Sequence, residues 1–279
     1  MADDDDKSDK YLIWVITGLA IILIIVFIIA MVAFFLVADS TPMHSIIIIN
    51  KCPQTINLIV GDQTQSLTKK LASGEETTYY ATPGVFLSIK GYYDGTDTRA
   101  LTKTFIWFGN NNYAGTYQIS DGNTILTTTR SQNSLSGNQD LYDISIQDGF
   151  NLPITIMSNN FQGQNPLDPF VCKGPFWNYN LLNICPENLR LGTGACASAC
   201  IANGSSIAEN LYCCQGTGLC GITGGCQNVW PNIDYYYLFD YACPNCMITN
   251  CDLPKYRCQS QDGLTSYRIT FSELFTEHG

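Results

Sequence analysis

The sequence predicts a mainly β ectodomain preceded by one N-terminal transmembrane helix. Three observations carry that prediction. Residues 11–37 form a run of 27 positions without a charged side chain. Short segments rich in β-branched and aromatic residues, parted by turn formers, fill residues 45–160. Twelve of the 13 cysteines crowd between Cys172 and Cys258. The 242 residues beyond the apolar run suffice for one large or two smaller domains with a proper core.

Composition excludes several functions. Charged residues are 14% of the chain, against about 25% in an ordinary soluble domain. Of the two histidines, His44 sits beside the apolar run and His278 is the penultimate residue. That placement leaves no histidine for a Ser-His-Asp or Cys-His hydrolase, and none for a histidine-rich metal site. The net charge is −10 and no basic cluster exists, so nothing is available to displace counterions from phosphates, and no nucleic-acid partner is expected.

The apolar run is long enough to span a bilayer, which needs about 20 apolar residues. Tyr11 and Trp14 suit an interfacial aromatic belt. A cleaved signal peptide would have an apolar region of about 7–15 residues and a small-residue cleavage site. The run exceeds that length and ends in Phe34-Phe35-Leu36-Val37. It reads as an uncleaved signal anchor whose partner is the lipid bilayer. Lys7 and Lys10 in the acidic tail favour a cytoplasmic N-terminus. Cysteine density places the rest in an oxidising compartment: extracellular, lumenal, or on a viral membrane.

The β segments follow in order: 45–51, 77–82, 85–90, 104–108, 114–119, 124–129, 141–146 and 152–157. Gly61-Asp62, Ser73-Gly74, Pro83-Gly84, Asp94-Gly95, Asp121-Gly122 and Asp148-Gly149 mark turns between them. Many short strands with regular turns argue for a sandwich or barrel. From 161 to 262 cysteine, glycine, proline and asparagine dominate, and cross-links must replace a core there. SYRITF (266–271) returns as a strand, which makes the disulfide-rich region an insertion. The expected organisation is an acidic tail (1–10), anchor (11–37), linker (38–44), β-sandwich (45–160), disulfide-rich insertion (161–262), and final strand with tail (263–279).

LYDISIQDGFNLPITI (141–156) resembles the signature of the thaumatin-like proteins. ICPENLRL (184–191), ACASAC (195–200), YCCQGTGLCG (212–221), ACP (242–244) and SYRITF (266–271) follow the same family in order and approximate spacing. INKCPQTINLIV (49–60) and SGEETTYYATPG (73–84) resemble its opening strands. The resemblance implies a thaumatin-like β-sandwich, a disulfide-rich loop domain beside it, and an acidic cleft between them. It also implies the pairs Cys185–Cys196, Cys200–Cys213, Cys214–Cys220 and Cys172–Cys258. Each should stabilise by roughly 2–4 kcal/mol in the chain-entropy account.

The chain departs from the family in several places. Ser272 stands where a partner for Cys52 is expected, so Cys52 is expected to be a free thiol. Cys226–Cys243 and Cys246–Cys251 would use the remaining cysteines, although sequence does not fix connectivity. Cys243-Pro244-Asn245-Cys246 also reads as a C-x-x-C redox motif. A proline-flanked loop lacks the helix N-terminus that activates such a thiol. Cys243, Cys246, Cys251 and Cys258 have the number for a zinc site but irregular spacing. No metal and no cofactor are expected. Asn203-Gly204-Ser205 is a glycosylation sequon.

The family's cleft implies one Arg, one Glu and three Asp, a set linked to binding or slow cleavage of β-1,3-glucan. Glycoside hydrolysis needs two carboxyl groups, one protonated and one ionised. Asp143, Asp148 and Asp252 carry over as candidates. The glutamate position is Arg130, and Gly91-Tyr92-Tyr93 stand where the arginine belongs. The competing reading is that Asp143 and Asp148 accept backbone N–H bonds at the sandwich rim. Tyr92, Tyr93, Trp107, Tyr113 and Tyr117 are candidate sugar platforms. Tyr235, Tyr236, Tyr237, Phe239 and Tyr241, in a loop-rich region, are candidates for a glycan or protein contact. From Asp39 onward there are 12 basic and 19 acidic residues, net −7, which disfavours adhesion to anionic lipid.

The expectation is therefore a membrane-anchored, non-enzymatic structural or interaction protein at a membrane, wall or virion surface. Its partners would be protein neighbours or surface glycan. The alternative is a β-1,3-glucan-binding or weakly glucan-hydrolysing protein.

Overall fold

The structure is a computed structural model. It describes residues 5–38, 43–62, 66–94, 102–108, 116–120, 125–129, 139–159, 172–177, 179–192, 194–203, 211–214, 220, 222–223, 225–252, 254–259 and 265–273. The chain divides into two units, Met1–Pro42 and Met43–Gly279.

The first unit holds one helix, α1 (Asp5–Ala38). Its side chains are described for 14–29 and 31, and nearly all of these are exposed, Trp14 and Phe27 among them. Among the described residues no helix is long and apolar enough to cross a membrane.

The second unit is built on two sheets. One has the order β11 (Ile154–Ser158), β15 (Tyr267–Phe271), β1 (His44–Asn50), β4 (Glu76–Ala81). The other has the order β14 (Tyr256–Gln259), β9 (Gln139–Ser145), β6 (Lys103–Trp107), β5 (Phe86–Tyr93), β2 (Ile56–Gly61), β3 (Ser66–Leu71). A third, small sheet joins β10 (Gly149–Phe150), β13 (Ala195–Ala197) and β12 (Arg190–Leu191). Strands β7 (Thr116–Ser120) and β8 (Ile125–Thr129) form a separate antiparallel pair. Short helices α2 (Leu181–Ile184), α3 (Ala199–Asn203) and α4 (Asp234–Ala242) belong to the disulfide-rich region.

Alternation explains the core. Successive strand side chains point to opposite faces. Ile46 and Ile48 of β1, Ile154 and Ile156 of β11, and Tyr267, Ile269 and Phe271 of β15 are buried from one sheet. Leu87 and Ile89 of β5, Ile106 of β6, and Tyr142 and Ile144 of β9 are buried from the other. All belong to one hydrophobic cluster. Each contributes roughly 1.5–3 kcal/mol through burial.

A buried polar clasp crosses this core. Tyr267 Oη on β15 donates to Asp140 Oδ2 on β9 at 2.8 Å. His44 Nδ1 lies 3.8 Å from the same carboxylate oxygen and accepts from the Thr265 N–H at 3.2 Å. The His44 ring stacks on Phe108. His44 is thus a core residue of the sandwich, although in sequence it lies close to the apolar run. The pleat turns it inward with Ile46 and Ile48.

Two expected boundaries shift. Residues 66–71 form β3, which the hydrophobic pattern does not announce because SLTKKL is an exposed edge strand. Lysines suit such an edge by discouraging further strand pairing. Tyr256–Gln259, expected inside the insertion, is β14, and its register Tyr256↔Tyr142 makes it the edge of the six-stranded sheet. The insertion therefore ends earlier than residue 262.

Gly149 begins β10 with φ +127°, a conformation that side chains rarely adopt. A Cβ there would lie 2.2 Å from the Cys196 carbonyl oxygen, because β10 pairs directly with β13. Gly149→Ala is expected to destabilise the fold by roughly 2–4 kcal/mol through strain and clash. A thermal melt followed by circular dichroism should show the midpoint falling several degrees, and an unchanged midpoint would refute this close approach.

Candidate functional site

The three candidate aspartates converge on the outer face of the six-stranded sheet. On β6, Lys103, Phe105 and Trp107 share that face, and Phe105 sits opposite Asp143 of β9. Phe86, Phe105, Trp107 and Met247 form a small buried cluster there, apart from the main core. The loop region is stapled to β9 beside them. Met247 N–H donates to Ile144 O, and Ile146 N–H donates to Met247 O, both at 2.9 Å. This staple carries Asp252 toward Asp143.

Each acid is engaged by the fold. Asp143 is fully buried. Its Oδ1 accepts from the Ile144 N–H at 2.8 Å and its Oδ2 from the Lys255 N–H at 3.0 Å. Burial pushes its carboxyl up to about 7. The two backbone bonds and the Lys255 ammonium oppose that rise, and the Asp252 charge adds to it. Asp148 pairs with the Lys103 ammonium, which is itself 3% exposed. Asp252 Oδ2 accepts from the N–H groups of Ile248 and Thr249, at 2.8 and 2.7 Å, and so fixes its own turn.

Lys103 was not among the residues singled out from sequence. The available signal was a lysine opening an otherwise apolar strand, TKTFIWF, where an exposed edge position would be its ordinary place. The missing cleft members are not replaced among the described residues of β5. Gly91 packs against the Phe271 ring, where a Cβ would approach to 2.9 Å. The Tyr93 hydroxyl donates to Glu273. Arg130 lies outside the described residues.

The aromatic run needs correction. Residues 235–241 lie on α4, a helix, rather than in a loop. Helical spacing sorts them. Tyr237 and Tyr241, four apart, are exposed at 57% and 53%, whereas Phe239 is buried and Tyr235 and Tyr236 are half-buried. Tyr235 packs beside Tyr212 and accepts from Asn188 Nδ2, and Tyr236 packs on Trp230. The Tyr241 ring stacks on Tyr179, centroids 4.8 Å apart. Trp107 is buried and Tyr92 half-buried. Tyr113 and the Tyr117 side chain lie outside the described residues. Asn203 ends α3 with Nδ2 donating to Ala199 O, and the rest of its sequon is also outside them.

Six disulfides are present. Cys172–Cys258, Cys185–Cys196 and Cys200–Cys213 join the residues that the resemblance implies. The others differ. Cys214 pairs with Cys226 rather than Cys220, Cys220 with Cys251, and Cys243 with Cys246. So Cys226–Cys243 and Cys246–Cys251 do not form. Local turns decide this. The Cys246 N–H donates to Cys243 O, with Asn245 at φ +69°, and the two Cα atoms come within 5.5 Å. Trp230 Nε1–H donates to Cys214 Sγ, which holds the 3₁₀ turn Cys226–Val229 against Cys214. The C-x-x-C pair lies at the C-terminal end of α4, where the helix dipole disfavours a thiolate. Cys52 is a buried free thiol, and burial raises it to about 11.

The profile of the thaumatin family matches residues 109–273, more than half of the chain. The chain belongs to the thaumatin family. It is 31% identical over 134 residues to pathogenesis-related thaumatin-like protein 3.8 of Cryptomeria japonica, covering 48% of each chain. It is 30% identical over 156 residues to pathogenesis-related thaumatin-like protein 3.7 of the same species, covering 55% of this chain and 57% of that one. Thaumatin-like protein 1 of Pyrus pyrifolia is 29% identical over 209 residues, 70% of this chain and 77% of its own. The chain thus spans about half the length of the two Cryptomeria proteins. The mainly β, disulfide-rich architecture agrees with this membership.

Two predictions test the site. An acid whose proton affinity rises on folding stabilises the fold while protonated. The folded chain then holds more protons than the unfolded one between about 4 and about 7. Stability should therefore fall as pH rises through that window and level off above it. In Asp143→Asn this part of the slope is expected to vanish, at a cost of about 1–3 kcal/mol for the lost acceptor. Melting midpoints of both chains across that range check it, and parallel slopes would count against the assignment. Separately, Lys103→Met is expected to cost about 3–5 kcal/mol by stranding the Asp148 charge. Adding Asp148→Asn should recover most of the loss. Urea unfolding of the single and double variants measures that coupling, and additive effects would show that the pair does not matter.

Proposed function

We propose that this chain is a membrane-anchored thaumatin-like protein acting as a non-enzymatic structural or interaction protein at a membrane, wall or virion surface. One observation carries the reading: all three acids that could have done chemistry hold the fold together instead. Asp143 is buried against two backbone N–H groups, Asp148 is paired with Lys103, and Asp252 closes its own turn. Glycoside cleavage needs two carboxyl groups that reach the sugar and a water. A buried carboxyl on an apolar floor is poorly placed for that work.

Anchoring through residues 11–37 is supported by the charge-free run, its helical course in α1, and its exposed apolar side chains. The N-terminus would be cytoplasmic and the cysteine-rich unit extracellular, lumenal or on a viral membrane. Docking would use the exposed Tyr237, Tyr241 and Tyr179 rings, which offer rigid apolar area with polar tips. Protein neighbours or surface glycan are the partners proposed.

A second reading has one observation in its favour. Asp143 titrates near neutrality, as a general acid would. It would make the chain a β-1,3-glucan-binding or weakly glucan-hydrolysing protein, with Asp143, Asp148 and Asp252 as its acids.

The test uses the full chain in detergent micelles, incubated with insoluble β-1,3-glucan while released sugar is assayed in the same tubes. No soluble product is expected. Product that disappears in Asp252→Asn would establish the enzyme instead. Alkaline extraction of membranes expressing the chain is expected to leave it in the pellet. Release into the supernatant would remove the anchor from the proposal.

A further inference from the structure

The disulfide-rich region gathers four sulfur atoms in one place. The Sγ atoms of Cys214, Cys226 and Cys251 all lie within 4.8 Å of one another. Cys214 is bonded to Cys226, and Cys251 to Cys220. The two bridges differ in access: Cys220 is exposed and Cys251 half-buried, while Cys214 and Cys226 are buried. A second contact makes the inner bridge asymmetric. The indole N–H of buried Trp230 donates to Cys214 Sγ at 3.4 Å. An indole nitrogen only donates, so it favours negative charge on that sulfur.

We propose that Cys220–Cys251 is a thiol-exchange site that accepts a small thiol of the glutathione class and relays the exchange inward to Cys214–Cys226. The incoming thiolate attacks Cys220 Sγ. The Cys220–Cys251 bond breaks, its electron pair leaves on Cys251 as a thiolate, and a mixed disulfide forms on Cys220. The Cys251 thiolate attacks Cys226 Sγ, forms a Cys226–Cys251 bond, and expels Cys214 as a thiolate. Trp230 sets this direction, since the sulfur that better carries charge leaves faster. The Cys214 thiolate then attacks Cys220 Sγ and expels the small thiolate. Two disulfides exist before and after, and the small thiol is regenerated, so there is no net oxidation. The relay exchanges the loop closures 214–226 and 220–251 for 214–220 and 226–251.

The test treats the oxidised full chain with reduced glutathione at mildly alkaline pH, quenches with iodoacetamide at intervals, and maps peptides without reduction. The expected early species carries glutathione on Cys220, an alkylated Cys214 and a Cys226–Cys251 bridge in one molecule. An alkylated Cys251 with Cys214–Cys226 intact would overturn the relay, as would the absence of both a Cys220 adduct and the Cys214–Cys220 and Cys226–Cys251 bridges. Buried Cys52 remains unlabelled throughout and reports that the fold persists. In Trp230→Phe, labelling of Cys214 is expected to slow severalfold while adduct formation on Cys220 keeps its rate. Equal slowing of both steps would deny Trp230 its directing role. If that variant does not fold, the peptide map of the unaltered chain decides alone.

Discussion

The pairing of β1 with β15 is the constraint on which the second unit depends. These strands run parallel, with Ile46 opposite Tyr267 and Asn50 opposite Phe271. Parallel neighbours need a long connection, and here the connection is everything from Lys51 to Ser266. The pairing therefore gathers the whole unit between its own first and last strands. It also places β15 where its other edge takes β11 and its inward Tyr267 reaches Asp140 on the opposite sheet. The two sheets are thus joined by packed apolar side chains and by buried hydrogen bonds, Tyr267 to Asp140 and the Asn50 side-chain amide to the Leu71 carbonyl. An unsatisfied partner in a buried hydrogen bond would cost more than the bond contributes, so the Tyr267–Asp140 bond holds β15 in place over β9.

With the sandwich closed, the outer face of the six-stranded sheet becomes the seat of the candidate site. The resemblance to the family implied an acidic cleft between the sandwich and the disulfide-rich region. On the outer face of the sheet Phe86, Phe105, Trp107 and Met247 form a buried apolar cluster. The remaining charges answer to the low dielectric this creates. Lys103 and Asp148 neutralise each other, and Asp143 holds its proton toward neutral pH because burial outweighs its two backbone donors. A raised carboxyl pKa is also the mark of a general acid. Asp143, Asp148 and Asp252 each have an intramolecular partner.

The disulfide-rich region obeys a different rule. It has little periodic core of its own, so short turns and cross-links position its chain. Helix α4 is the exception. It presents Phe239 and Ala242 inward and Tyr237 and Tyr241 outward, so one short element both packs the region and displays rings. Adjacent bridges follow from the same economy of space, because six disulfides between residues 172 and 258 must crowd their sulfurs.

Most of the strand pattern, and the family, could be read from the sequence. β-Branched alternation and turn residues are local signals, and ordered cysteine motifs persist through the chain. It also marked Asp143, Asp148 and Asp252 and exposed the missing glutamate and arginine. What those acids touch depends on the tertiary structure. Burial of Asp143, the partnership of Lys103 with Asp148, and the inward turn of His44 arise between strands far apart in sequence. SLTKKL stayed hidden because an edge strand needs no hydrophobic alternation, and Tyr256–Gln259 because its partner lies more than a hundred residues away. Disulfide connectivity was decided last, since spacing constrains loop lengths while pairing depends on which Cα atoms the turns bring within reach.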